Sequence, residues 1–191
     1  MSNLTFEKIE PHVFVTKLAG FEHSEYIQPN ETKRPQKSTD IPLVQGKNIR
    51  NGWFVDKYDW YIPVEISNML PRSILNKECI LIPYVGSNLG EVGIFYNHRK
   101  CHLASNVAKI EVVDDKYSLE YLKYYFQSKI GQAYLFQGKQ GSAQPNITMQ
   151  NIRDTMVIKR SFAEQEKICK VLIAIDKKIK NNEEINDNLV A

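Results

Sequence analysis

The chain has 191 residues, 42% of them hydrophobic and 25% charged, and a formal net charge of +3 at pH 7. That length accommodates one sizeable domain with an appendage rather than two ordinary domains, and the composition excludes global disorder. No stretch approaches the ~20 apolar residues of a membrane span, and the N-terminus MSNLTFEKIE has no signal-peptide pattern. Three widely spaced cysteines without a CxxC pair give no disulfide framework, so a cytoplasmic location is expected.

The charge is unevenly placed. Residues 33–160 hold 18 Lys or Arg against 11 Asp or Glu, whereas residues 1–32 hold two against five and residues 161–191 five against six. A basic body between slightly acidic ends suits a polyanionic partner, because neutralising phosphates releases counterions.

From residue 41 the pattern is that of strands. IPLVQGKNI leads into RNGW, where Asn51-Gly52 predicts a tight hairpin turn. CILIPYV (79–85) is a short apolar run, GSNLG a turn expected to expose Ser87 and Asn88 at its tip, and EVGIFY (91–96) extended chain. HLASNVAKIEVV (102–113) partly alternates and predicts a further strand. The period then changes. In SLEYLKYYFQSKIGQAYLF, Leu119, Leu122, Phe126, Ile130 and Ala133 recur at helical spacing with Ser118 as N-cap, predicting one helix with one buried face.

That helix delivers the chain into GKQGSAQPNIT (138–148), a loop rich in neutral amides and hydroxyls, followed by a short helix at TMQNIRD and a strand at MVIK. The last thirty residues differ again. Ser161 and Glu164 have capping-box spacing. Beyond them Ile168, Leu172, Ile175, Ile179, Asn182, Asn186 and Leu189 step by four and three, which are a/d positions of a heptad repeat. A continuous helix here would span roughly 45 Å. Its narrow seam predicts a partner helix, with packing on its own domain as the alternative. The expected division is a domain over 1–160 and a helix over 161–191.

Signatures of catalysis are missing. The sequence has no GxxxxGK[ST], no GxSxG, and no GxGxxG opening a helix after a strand. His98, Cys101 and His102 cluster in HRKCH but lack a fourth ligand and the paired spacing of a zinc site, so Arg99 and its neighbours read as a solvated turn or a phosphate-contacting edge. The carboxylate pairs at 114–115 and 183–184 have no base or nucleophile beside them in sequence.

Three loops do carry the side chains that read DNA. Asn and Gln pair with adenine edges and Arg and Lys with guanine, while Lys, Arg and small polar groups grip phosphates. The first loop offers Gln45, Lys47, Asn48, Arg50 and Asn51, the second Ser87 and Asn88, the third Lys139, Gln140, Ser142, Gln144 and Asn146. Any one of these segments has a purely structural explanation as a turn; their concurrence on a basic body favours nucleic acid.

IPLVQGKNIRNG, ILIPYVGSNLGEVGI, HLASNVAKIEV and GSAQPNIT, in that order, resemble the target recognition domain of the specificity subunit of type I restriction-modification enzymes. EQEKICKVLIAIDKKIKNNEEINDNL resembles the long helical region that follows it. The resemblance implies an α+β fold, a mixed-sheet recognition domain followed by a long coiled-coil-type helix. It implies a non-catalytic subunit that reads one half of a bipartite site in double-stranded DNA and docks methyltransferase and restriction subunits. S-adenosylmethionine, ATP and Mg belong to those partners, none being bound by this chain. Such subunits carry two recognition domains held apart by paired helices, and this sequence has one of each. It is therefore expected to be a half-subunit that dimerises through Ile168, Leu172, Ile175, Ile179, Asn182, Asn186 and Leu189, or a fragment. The alternatives are a coiled-coil scaffold without DNA specificity and the DNA-binding part of another methyltransferase-type restriction system.

Overall fold

Antiparallel neighbours dominate the computed structural model of the chain, in which residues 4–138 and 146–190 are described. Strands β1 (Phe6–Lys8) and β2 (Val13–Lys17) precede a helical stretch that starts as α1 (Gly20–Glu22) and runs on through His23–Ile27 and Gln28–Asn30. There follow β3 (Ile41–Val44), a 3-10 turn at Gly46–Asn48, β4 (Ile49–Arg50), β5 (Trp53–Phe54), β6 (Tyr61–Ile62), α2 (Val64–Met69) and β7 (Ile74–Leu75). Next come β8 (Cys79–Pro83), β9 (Gly93–Phe95), β10 (Cys101–Leu103) and β11 (Val107–Val112). The helices α3 (Leu119–Gln127), α4 (Lys129–Leu135) and α5 (Met149–Arg153), then β12 (Met156–Ile158) and α6 (Phe162–Val190), complete an α+β fold.

Two four-stranded sheets form its body, in the orders β2-β11-β8-β9 and β6-β3-β10-β7. In the first, β8, β9 and the first part of β11 are covered on both faces. In β8, Ile80 and Ile82 face the helices while Cys79 and Leu81 face the second sheet, and β11 splits Ala108 and Ile110 from Val107 in the same way. Successive strand residues point to opposite faces, so a strand covered twice must be apolar throughout, which is why CILIP shows no alternation. Each fully buried Ile or Leu contributes about 1.5–3 kcal/mol. Lys109 is the exception, on the sheet-facing side of β11 and 4% exposed. Its ammonium donates to the Ile74 carbonyl at 2.9 Å and pairs with Glu111 at 2.8 Å, so the buried charge has an opposite charge and a carbonyl beside it.

The Asn51-Gly52 turn forms as predicted. Asn51 has φ +54° and Gly52 φ +78°, and Arg50 pairs with Trp53 across the hairpin. Two elements differ from expectation. HLASNVAKIEVV is two strands, since the chain breaks at Ala104–Asn106 and passes β10 to one sheet and β11 to the other. The helix predicted over 118–136 is also two. Ser118 caps α3 by accepting the Tyr121 N–H at 3.1 Å, but Ser128 leaves the helical region (φ −67°, ψ 158°) and caps α4 through the Gly131 N–H at 3.1 Å. The break turns the helical register, so Ile130 and Ala133 are exposed instead of buried. It also presses Gly131 against the backbone of Tyr125 and Phe126, where a Cβ would overlap the Tyr125 carbonyl oxygen.

The short ribbon β1-β12 closes the domain near the base of α6. Glu7 lies there, 2.7 Å from the Lys116 ammonium and 3.1 Å from that of Lys159, and also accepts from the Tyr117 hydroxyl. Burial pushes the Glu7 carboxyl up, but the donors from Lys116, Tyr117 and Lys159 outweigh it and bring the group down to about 2.

Gly131→Ala is expected to destabilise the fold by about 1–3 kcal/mol, seen as a lower urea midpoint with unchanged slope. The Glu7 pKa is depressed on folding, so its contribution is complete above the ordinary carboxylate range. It is lost as pH falls from about 4.5 towards about 2. Glu7→Gln should therefore lower the urea midpoint at neutral pH and flatten its decline through that acid window.

Candidate nucleic-acid interface

Antiparallel pairing puts the C-terminal ends of β2 and β8 beside the N-terminal end of β11, with Lys17 opposite Ala108, Ala108 opposite Ile82, and Val107 opposite Pro83. The segments 18–22, 84–92 and 104–106 therefore leave the same end of the inner sheet. The loop after β3 joins them, because the Gly46 N–H donates to Asn106 Oδ1 at 3.1 Å. Asn88 Nδ2 donates to the Ile49 carbonyl at 2.8 Å, tying the 84–92 segment to the β4 strand. The Ile147 N–H donates to the Tyr84 carbonyl at 2.8 Å, bringing in the chain after residue 145. Hydrogen bonds thus stitch four sequence-distant segments, 45–50, 84–92, 104–106 and the chain from 146, into one surface, with 18–22 leaving the sheet beside them.

The residues expected to read DNA occupy it unequally. Arg50, Asn51, Ser87 and Asn146 are exposed there, and Gln45 is half-buried. Lys47 is exposed and paired with Asp59, whose carboxyl this lysine holds below its usual range. Asn48 corrects the expectation. It is 2% exposed, its Oδ1 accepts the Gln45 N–H at 2.9 Å, and its amide donates to the carbonyls of Val55 at 2.9 Å and Lys57 at 2.7 Å. Both donors are spent closing the 45–57 loop, which leaves none for a base edge. Asn88 is also not the free tip residue expected, being half-buried and bonded to both Ile49 and Ser87. Lys139, Gln140, Ser142 and Gln144 lie outside the described residues.

Arg99 sits elsewhere. It leaves the far end of β9 and stacks its guanidinium 5.6 Å from the Tyr58 ring centroid. Cys101 and His102 follow on β10, where adjacent residues face opposite sides; both are fully buried, and burial pushes the His102 imidazole below its ordinary range. Among the described residues no group of three His, Cys, Asp or Glu could hold a metal ion.

Sequence reasoning missed Lys17, Tyr84, Ser105 and Asn106. The Tyr84 hydroxyl donates to the Ser105 carbonyl, and the Lys17 ammonium lies 4.5 Å from the Tyr84 ring centroid. The available signal was Ser105-Asn106, two small polar residues interrupting an otherwise apolar run, which marks a turn.

The long helix is attached at its base. Gln165 is fully buried, accepts the Ser118 N–H at 2.9 Å and donates to the carbonyls of Lys116 at 2.8 Å and Arg160 at 3.0 Å. Three turns on, Asp176 meets the Lys123 ammonium at 2.9 Å and the Tyr124 hydroxyl at 2.8 Å, while Lys180 lies 5.9 Å from the Trp53 ring centroid. The face carrying Gln165, Cys169, Ile173 and Asp176 thus docks on the domain. The predicted seam lies on another face, with Ile168 38%, Ile175 51% and Ile179 47% exposed, Leu172 half-buried, and Asn182 and Asn186 exposed. Val171 joins it at 60% exposed, and the Leu189 side chain lies outside what is described. No helix among the described residues is long and apolar enough to cross a membrane.

The geometry defines a loop-presenting domain fused to a helix with an uncovered apolar seam. A family model of the type I restriction modification DNA specificity domain matches residues 28–191, and the chain belongs to that family. No curated protein matches. Among solved structures, the chain is similar to one from a study of complex assembly and conformational transition of the type I R-M system. That match has 12% identity and TM-score 0.65, covering 95% of this chain and 40% of the other. It is also similar to the HsdS subunit from Thermoanaerobacter tengcongensis, at 13% identity and TM-score 0.63, covering 94% and 39%. A third is the type I restriction-modification S subunit from M. genitalium, at 15% identity and TM-score 0.58, covering 94% and 40%. The chain spans about two-fifths of the length of these structures.

Asn48→Ala would leave the Gln45 N–H and the Lys57 carbonyl without the Asn48 side chain, and the Val55 carbonyl with the Lys57 N–H alone. It is expected to cost about 1–3 kcal/mol in urea unfolding. The exposed Arg50→Gln should stay within about 0.5 kcal/mol of the parent.

Proposed function

We propose that the chain is the DNA-recognition half of a type I restriction-modification specificity subunit, acting in the cytoplasm and reading one half of a bipartite site in double-stranded DNA. The observation that carries this reading is the single surface on which Arg50, Asn51, Ser87 and Asn146 converge, in a chain whose family is that of the specificity domain. Arg50 and Asn51 stand exposed at the turn of the β4-β5 hairpin, which Gly52 ties to Glu91 and Gln127, and each good bidentate base contact would discriminate by about 1–3 kcal/mol.

The reading assigns α6 a second task. An uncovered row of Ile168, Val171, Ile175 and Ile179 is what a heptad seam presents before its partner helix arrives, and Asn182 and Asn186 would set its register. That partner is the helix of a second recognition half, supplied by another copy of this chain or by an equivalent domain. Two halves related by a two-fold axis would read half-sites about one helical turn apart. The helices would also carry the methyltransferase and restriction subunits, so S-adenosylmethionine, ATP and Mg chemistry resides in those partners and this chain performs no catalytic step.

Genome-wide methylation mapping tests the reading in cells that express the methyltransferase subunit with and without this chain. The expected result is a new bipartite motif only in the presence of the chain, palindromic if both halves are identical and asymmetric if they differ. A soluble complex that writes no new motif would overturn it in favour of a scaffold that uses the same helix without reading DNA.

A further inference from the structure

Beside the stitched loops, on the outer side of β2, lies an open cleft of about 340 Å³ that no sequence motif marks. Three cations line it, Lys17 from the end of β2, Arg72 from the turn before β7 and Arg153 from the end of α5. Among the described residues none of the three forms an ion pair. Lys17 rests on the Tyr84 ring, Arg153 Nη2 donates to the Val15 carbonyl at 2.9 Å, and Arg72 is exposed. The one carboxylate in the lining, Glu22, is turned to the backbone, where it accepts the Ala19 N–H at 3.0 Å. The wall is completed by Met149 and by Phe21, which is 62% exposed.

This cleft and the loop surface are continuous. Tyr84 carries Lys17 on its ring and accepts the Ile147 N–H through its carbonyl, and Met149 follows Ile147 by two residues. Both also stand at the same end of the inner sheet, where β2 finishes. A DNA strand leaving the loops would therefore meet three unpaired cations next. Guanidinium groups suit phosphate oxygens because their donors form a planar fork, and the bare Phe21 ring offers an apolar wall for the sugar between phosphates.

We propose that this cleft grips the phosphodiester backbone of the DNA flanking the bases that the loops read, with Lys17 and Arg72 as the principal contacts. The proposal rests on the DNA-recognition reading and adds the place where affinity, as distinct from base choice, is generated. Phosphate contacts position a protein on the duplex without selecting sequence, so losing them weakens binding to every sequence alike.

The test uses the full chain and a fluorescently labelled mixed-sequence duplex, titrated over a series of salt concentrations. Parent, Lys17→Gln, Arg72→Gln, the double variant and Lys77→Gln are compared, Lys77 standing at the opposite end of the sheet, just before β8. Each contact should contribute about 0.9 to the slope of log K against log salt, so each single variant should flatten it by about 0.9 and the double variant by about 1.8. Lys77→Gln should leave it unchanged. The exposed positions of Lys17 and Arg72 predict parental urea midpoints for all variants. A steep parental slope that the cleft variants do not change would sink the cleft while leaving the DNA reading intact, as would an equal loss from Lys77→Gln, which would indicate net charge alone. A parent without salt-dependent DNA binding would overturn the DNA reading and the cleft together.

Discussion

The constraint on which the structure depends is that β8, β9 and the first part of β11 are buried on both faces of their sheet. Ile80, Ile82, Ala108 and Ile110 pack under the helices, and Cys79, Leu81, Val107 and Phe95 pack against the second sheet. Water is excluded from both sides of β8, so its backbone must be satisfied within the ladder. The ladder in turn fixes which strand ends lie together. The shared departure of segments 18–22, 84–92 and 104–106 from one end follows from the register of Val107 on Pro83 and of Ala108 on Lys17 and Ile82.

At that end, polar side chains divide into two kinds of work. Amides such as Asn48, Asn88 and Asn106 are spent on backbone groups of neighbouring loops, where their bonds hold the surface in one shape. Charged groups such as Arg50, Lys17 and Arg72 stay outward. The division is physically reasonable. A buried neutral amide that completes its hydrogen bonds costs little, whereas a buried ammonium needs an opposite charge beside it, as Lys109 has in Glu111. Surfaces that bind polyanions are therefore best built from amides inside and cations outside.

The same separation of faces governs α6. Gln165 and Asp176 tie one side of the helix to α3, and because their bonds are made to the Ser118 N–H, the Lys123 ammonium and the Tyr124 hydroxyl, the helix holds a set angle to the domain. Its apolar seam remains free on another side. A helix that packed its seam on its own domain would have nothing left to offer a partner.

Much of this was legible in the residues themselves. Local chemistry determines the Asn51-Gly52 hairpin, the Ser118 cap, the Ser161–Glu164 capping box and the heptad stepping of α6, because each depends on neighbours within four positions in sequence. The apolar run at Cys79–Pro83 likewise announces a strand covered twice. What only the tertiary structure decided are the features that need a distant partner. Ala104–Asn106 divides one apparent strand because its halves belong to different sheets, and the helix that restarts after Ser128 is turned so that Gln132 reaches the Gly90 carbonyl. Asn48 looks in sequence like a base reader, and becomes a brace only when Val55 and Lys57 fold back to meet it. Lys17, Arg72 and Arg153 stand far apart in the chain and share a cleft solely because β2, the turn before β7 and α5 are packed together. Periodicity and turn chemistry act over a few residues, whereas burial and charge partnering are settled by whatever the fold brings alongside.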